Sequence, residues 1–212
     1  MSEYKTPDKK INSKILKGRG SSSKLDARYL DTTRHEIDDG WSIEPEVQNP
    51  STTVVIEKPK TIITKNNSPD IPFEQSINPY RGCEHGCIYC YARPTHAYFD
   101  LSPGLDFETR LFAKPNAVSL LEKELAAPGY QCSPIALGTN TDPYQPIERE
   151  HKITRGIIEL LQKHQHPLTI VTKSNLVERD IDLLAAMAEH NLVQVFISIT
   201  TLDNTLMRNM EP

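Results

Sequence analysis

The sequence predicts an α/β fold: a parallel sheet with crossover helices, preceded by an irregular arm and stopping short of a closed barrel. Three observations lead there. From about residue 71, strand-like runs alternate with stretches of helical periodicity, the pattern of βα units joined into a parallel sheet. Three successive strands are apolar runs that end on polar side chains. Finally, about four strand–helix units fit into the 212 residues, whereas a closed eight-fold barrel runs to about 250 residues. The chain is therefore expected to be a truncated part of a larger barrel.

Residues 1–70 read as a basic, largely irregular N-terminal arm and 71–212 as the core. In the first 25 positions Lys5, Lys9, Lys10, Lys14, Lys17, Arg19 and Lys24 face only Glu3 and Asp8. Such an arm either touches nucleic acid or is a disordered solubilising tail. Gly18-Arg-Gly-Ser-Ser-Ser23 reads as flexible, and Pro45, Pro50, Pro59 and Pro69 break up the remainder of the arm. Thr52–Ile56 and Thr61–Thr64 are strand-like and should lie against the core, with Trp41 and Ile43 as anchors.

Phe73–Asn78 reads as a strand leading into a cysteine loop. Asn116 is placed as the N-cap of a helix carrying Ala117, Val118, Leu120, Leu121 and Leu125, which Pro128-Gly129 ends. Ile135–Leu137 is a buried strand, and Ile153, Ile157, Ile158 and Leu161 mark a helix. Leu168–Thr172 is a strand, and Ile181, Leu184, Ala185 and Ala188 mark another helix. Val193–Thr200, rich in β-branched residues, is the last strand, and a helix begins after Leu202.

Composition narrows the function classes. Net charge is −4, so the molecule as a whole is not an electrostatic nucleic-acid binder. No run approaches the roughly 18–20 apolar residues of a membrane span, and no apolar stretch follows the N-terminal lysines as in a secretory leader. A reducing cytoplasm is expected, where four cysteines read as metal or redox ligands before disulfides.

Cys83, Cys87 and Cys90 lie in Arg81-Gly-Cys-Glu-His-Gly-Cys-Ile-Tyr-Cys-Tyr91, a C-x3-C-x2-C spacing in which Gly82 and Gly86 let the backbone wrap closely. Three thiolates could each bind one iron of a 4Fe–4S cubane and leave the fourth iron open, as catalysis requires. The alternatives are a zinc site completed by His85, His96 or Cys132, and plain buried cysteines. Zinc pairs usually read C-x2–4-C twice, separated by a longer gap, which this loop lacks.

The loop, with Tyr89 just before the third cysteine, resembles the C-x3-C-x2-aromatic-C signature of the radical S-adenosylmethionine (SAM) superfamily. Asn78-Pro-Tyr-Arg-Gly-Cys83, Ile88-Tyr-Cys-Tyr-Ala-Arg93 and Gly138-Thr-Asn-Thr-Asp-Pro-Tyr-Gln-Pro-Ile-Glu148 resemble the branch that includes spore photoproduct lyase and its uncharacterised relatives. The likeness runs from about Asp39-Gly-Trp41 to the C-terminus. It implies a partial (β/α) barrel of radical SAM type, incomplete at the C-terminus here. It also implies a cluster whose open iron chelates SAM and an electron donor of flavodoxin or ferredoxin type. Reductive cleavage would give a 5′-deoxyadenosyl radical that abstracts hydrogen from a substrate, in lyase-like or other radical chemistry.

Polar residues at the strand ends extend the site. Thr139–Asp142, Thr172-Lys-Ser174, and Ser198 with Thr200 lie at the ends of successive strands, and in a parallel barrel these C-terminal ends converge. The resemblance assigns cofactor contact to Thr141, Lys173 and Ser198, and places Tyr89 beside the adenine; Lys173 would meet the SAM carboxylate as a point charge. Each also has a plain reading: a turn for Thr139–Asp142, a solvated lysine, a core serine. One departure matters. Spore photoproduct lyase uses a cysteine hydrogen donor near the segment that here reads Leu137-Gly-Thr-Asn-Thr-Asp142, which has none, so the repair reaction is not carried over. The rival readings are a zinc-dependent nucleic-acid module and an inactive truncated remnant; the substrate is open, nucleic acid included.

Overall fold

The computed structural model describes residues 18–21 and 51–212. Most of the basic arm, with Trp41 and Ile43, lies outside the described residues. Strands β1 (Thr53–Ile56), β2 (Thr64–Lys65), β3 (Gln75–Ile77) and β4 (Tyr80–Arg81) come first. Next are a 3-10 helix (Arg93–Phe99), α1 (Leu105–Thr109), β5 (Arg110–Ala113), α2 (Ala117–Leu125) and β6 (Ile135–Leu137). Then come α3 (Glu148–His151), α4 (Ile153–Lys163), β7 (Leu168–Thr172), a second 3-10 helix (Asn175–Asp180), α5 (Ile181–Ala188), β8 (Val193–Ile197) and α6 (Asn204–Met210).

The main sheet runs β2-β3-β6-β7-β8, parallel from β3 to β8 with β2 antiparallel at one edge. The mixed α/β class is as expected, but the sheet is open: β2 and β8 are its edges, and the described strands close no barrel. Register aligns Ile77 with Leu137, and Leu137 with Ile170, placing one buried apolar row across three strands. Over this row pack Ile157, Ile158 and Leu161 of α4, with Leu121 of α2, all without exposed surface. Helical periodicity put these side chains on one stripe, and each buried one contributes about 1.5–3 kcal/mol of apolar transfer. Gly156 lets α2 and α4 approach, since a Cβ there would stand 2.9 Å from Val118 Cγ2.

A second sheet, β1-β5-β4, has no counterpart in the sequence reading. Its pairs join Thr53 to Arg110 in parallel and Tyr80 to Ala113 antiparallel. Three local expectations also change. The Thr61–Thr64 strand is displaced to Thr64–Lys65, because the Ile62 and Ile63 amides donate instead to the Glu124 carboxylate. Asn116 occupies the N-cap position without capping: its amide donates to the Pro59 carbonyl at 3.3 Å. The last strand ends at Ile197 and not Thr200. Among the described residues no helix is long and apolar enough to cross a membrane.

A buried polar core supports the β6 side. Glu148, fully buried, accepts from the Tyr80 hydroxyl, from the first amides of α4 (Thr154 at 3.0 Å, Arg155 at 3.3 Å) and from Arg179 at 2.7 Å. An acid at a helix N-terminus meets its unpaired amides and the positive end of its dipole.

Candidate functional site

The cysteine loop leaves β4 through Gly82, whose φ of +73° suits glycine and where a Cβ would stand 2.8 Å from the Phe107 carbonyl. The Cys83 amide donates to that same carbonyl at 2.9 Å. Gln145, fully buried, donates to the Gly82 carbonyl (3.0 Å) and accepts from the Glu84 amide (3.2 Å). On the other side Arg93 donates to the Gly86 and Cys87 carbonyls, both at 2.9 Å, and pairs with buried Glu108 at 2.6 Å. The loop backbone is thus held from two sides by side chains whose own charges or amides are satisfied.

Cys83 and Cys87 are buried, Cys90 is half-buried and Cys132 is exposed; all are free thiols. Burial pushes the Cys83 thiol well up, and nearby Asp142 adds to it. Burial also raises Cys87, as does Glu211, while Lys173 opposes them. Cys83 feels the charge of Cys87, and Cys87 that of Cys90, so the three sulfurs share one electrostatic neighbourhood. Metal binding would replace these protons.

The polar strand ends converge on the same loop. Lys173, just beyond β7, places Nζ 3.1 Å from Ser198 Oγ, 3.3 Å from Thr200 Oγ1 and 5.3 Å from the Tyr89 ring centre. Tyr89 Oη meets Thr200 at 2.9 Å and donates to Glu211, whose carboxylate also pairs with Lys173 at 2.7 Å. Burial would lower the Lys173 ammonium, but Glu211 and Tyr89 hold it above its ordinary range. Burial likewise works against the Glu211 carboxylate, yet Lys173, Thr200 and Tyr89 keep its pKa below the usual value. Glu211 was invisible in sequence, since nothing local marks it until Lys173 is known to face it.

Thr141 does not join this group. It is buried and its hydroxyl donates to the Tyr80 carbonyl at 3.1 Å. Its neighbour Asp142 ties two strand ends together, accepting from Thr172 Oγ1 at 2.7 Å and the Lys173 amide at 2.8 Å.

Of the residues weighed for a zinc site, Cys132 precedes β6 and so sits at the opposite end of the parallel strands from the loop. His96 Nε2 bonds the Arg110 carbonyl at 2.9 Å. His85 Nε2 stands 3.5 Å from Asp142, too far for a good hydrogen bond, and has no such partner among the described residues. No three His, Cys, Asp or Glu side chains among those residues stand at the spacing of a single ion. A cubane asks for something different, since each thiolate binds a different iron. Three neighbouring thiols on one glycine-wrapped loop suit that donor set.

Two open clefts, of about 700 Å³ around Asn66, Pro69 and Phe73 and about 380 Å³ around Arg155 and Arg179, include none of these residues.

Comparison with known proteins agrees with the loop. An uncharacterised protein of Mycobacterium tuberculosis is 43% identical over 145 residues, covering 68% of this chain and 43% of its own length. One of Methanocaldococcus jannaschii is 30% identical over 136 residues, 64% of this chain and 48% of the relative. An uncharacterised protein of the Acidianus two-tailed virus is 28% identical over 141 residues, 65% of this chain and 46% of the relative. The matches thus span less than half the length of these relatives, and no solved structure matches. Residues 77–212, which hold the cysteine loop and the strand ends that converge on it, match the radical SAM superfamily, and the chain belongs to that superfamily.

Proposed function

We propose that the chain is a radical SAM enzyme in which Cys83, Cys87 and Cys90 hold a 4Fe–4S cluster and Tyr89, Lys173 and Ser198 surround the bound SAM. The observation that carries this reading is the convergence of Lys173, Ser198, Thr200 and Tyr89 beside Cys87, with Lys173 already holding a carboxylate, that of Glu211. When bound, the cluster supplies the electron that splits SAM to methionine and a 5′-deoxyadenosyl radical for hydrogen abstraction.

The chain's own residues do the positioning. Lys173 offers a compact cation to the SAM carboxylate in place of Glu211. Ser198 and Thr200 offer hydroxyls, and the Tyr89 ring offers a flat face for the adenine. Thr141 sets the loop after β6 through the Tyr80 carbonyl. In this reading the open sheet is one part of a partial (β/α) barrel, in the branch resembling spore photoproduct lyase. A flavodoxin- or ferredoxin-type protein in the cytoplasm would reduce the cluster. The substrate is a separate question, with nucleic acid one class to test and lyase-like chemistry one outcome.

The test is anaerobic reconstitution with iron and sulfide, then dithionite and SAM, with 5′-deoxyadenosine scored by chromatography. The expected result is cluster uptake and 5′-deoxyadenosine from the native chain, and loss of both in Cys87→Ala. Stoichiometric zinc without iron uptake would reject the reading.

A further inference from the structure

The glycine-rich segment that sequence marks as flexible is seated against the cysteine loop. Arg19 and Gly20 both donate backbone amides to Glu108 Oε2, at 2.7 and 3.1 Å. Glu108 is fully buried, and its other carboxylate oxygen takes Arg93, the residue that holds the Gly86 and Cys87 carbonyls. The Arg19 guanidinium reaches the Glu108 carbonyl at 2.7 Å, Thr52 at 2.9 Å and Glu84, between the first two cysteines, at 3.1 Å. Thr52 in turn donates to Glu84 at 2.8 Å.

The backbones also meet glycine on glycine. A Cβ on Gly20 would stand 1.8 Å from the Gly86 carbonyl oxygen, and one on Gly86 2.7 Å from Arg19 Cβ. Gly86 has φ +64° besides. Gly18 closes the turn by donating to the Ser21 carbonyl at 2.6 Å. A flexible joint needs none of this. A close-fitting backbone needs all of it, because only glycine allows such approach.

We propose that Gly18–Ser21 is a strap that fixes the cysteine loop from behind, with Arg19 and Gly20 as positioning residues for the cluster ligands. They act through Glu108, Glu84 and Gly86. The strap divides one buried carboxylate between its own amides and Arg93, so Glu108 relays the strap's position to the carbonyls of the loop. A buried charge tolerates little displacement, because any lost partner leaves it unpaired in a poorly solvating interior. The strap's role in cluster retention rests on the cluster reading proposed for the cysteines; its hold on the loop does not.

The experiment has two arms on the full chain. In the first, amide hydrogen exchange of the cluster-free protein compares native, Gly20→Ala and Arg19→Gln chains. The expected result is about tenfold faster exchange across residues 83–90 in both variants, with β6 and β7 unchanged. In the second, the reconstituted protein is challenged with an iron chelator. Both variants should lose iron about tenfold faster than native, the usual scale for disturbing partners behind metal ligands. Native-like loop exchange in both variants would overturn the strap. Native-like iron loss with faster loop exchange would overturn its role in cluster retention. If Gly20→Ala does not fold, Arg19→Gln decides both arms, since it keeps the backbone and removes only the guanidinium. A native chain that takes up no cluster rejects the cluster reading, while the exchange arm still decides whether the strap holds the loop.

Discussion

At the scale of single residues, the site turns on one ion pair. Lys173 and Glu211 meet at 2.7 Å with side chains 21% and 16% exposed, so water screens the pair only in part. Beside it the Ile88 amide donates to the Met210 carbonyl at 3.0 Å, which pins the end of α6 to the cysteine loop. Glu211→Gln should loosen that contact by about 1 kcal/mol, the upper range for a partly exposed pair, and raise hydrogen exchange of the Ile88 amide about fivefold. The sign with pH comes from the lowered folded pKa of Glu211. Its contribution is complete above the ordinary carboxylate value of 4.5 and fades as pH falls through the depressed one. Protection at Ile88 that is indifferent to both the substitution and acid would contradict the contact.

The elements were unequally legible. β6 and β7 are contiguous apolar runs, and α4 carries its core stripe at Ile153, Ile157, Ile158 and Leu161, so local pattern reveals them. β4 and β5 hold two and four residues; β5 pairs with Thr53–Ile56, more than fifty positions before it, and among the described residues β4 pairs only with β5. No local periodicity survives in strands that short. The turn after β6 is similar: Gly138 has φ +85°, and a Cβ there would stand 2.0 Å from the Val171 carbonyl oxygen. Gly138→Ala should therefore cost at least about 2 kcal/mol, combining the left-handed penalty with separation of β6 from β7. Urea denaturation measures this, and a midpoint equal to native would show that the turn relaxes freely.

For the whole molecule, two buried histidines set the response to acid. Burial lowers the pKa of His96, which faces Asp106, Arg110 and Arg81, and of His166, which faces His164 and bonds Tyr130 at 2.7 Å. The unfolded chain binds more protons than the folded one from about the ordinary histidine value of 6.5 downward to these lowered values. Stability is thus complete above that value and falls as pH drops through the window. The urea midpoint should decline between pH 7.5 and 5.5, and His166→Gln should flatten part of the decline; a flat native profile would oppose it. Among the described residues β8 is an edge strand, with Phe196, Ile197, Ile199 and Leu202 exposed along and beyond it.

Sequence by itself determined the family, because three cysteines in eight residues form a local pattern that can be read without any tertiary contact. It also determined the alternation of parallel strands and helices, since burial imposes a period on each element separately. Only the tertiary structure decided which polar strand ends meet. Lys173, Ser198, Thr200, Tyr89 and Glu211 come from four segments, and Thr141 turns away to the Tyr80 carbonyl although it stands at the end of the neighbouring strand. Tertiary structure likewise turned Gly18–Ser21 from a joint into a clamp. Glycine leaves conformation open in sequence, and what closes it here is a carboxylate 89 positions away.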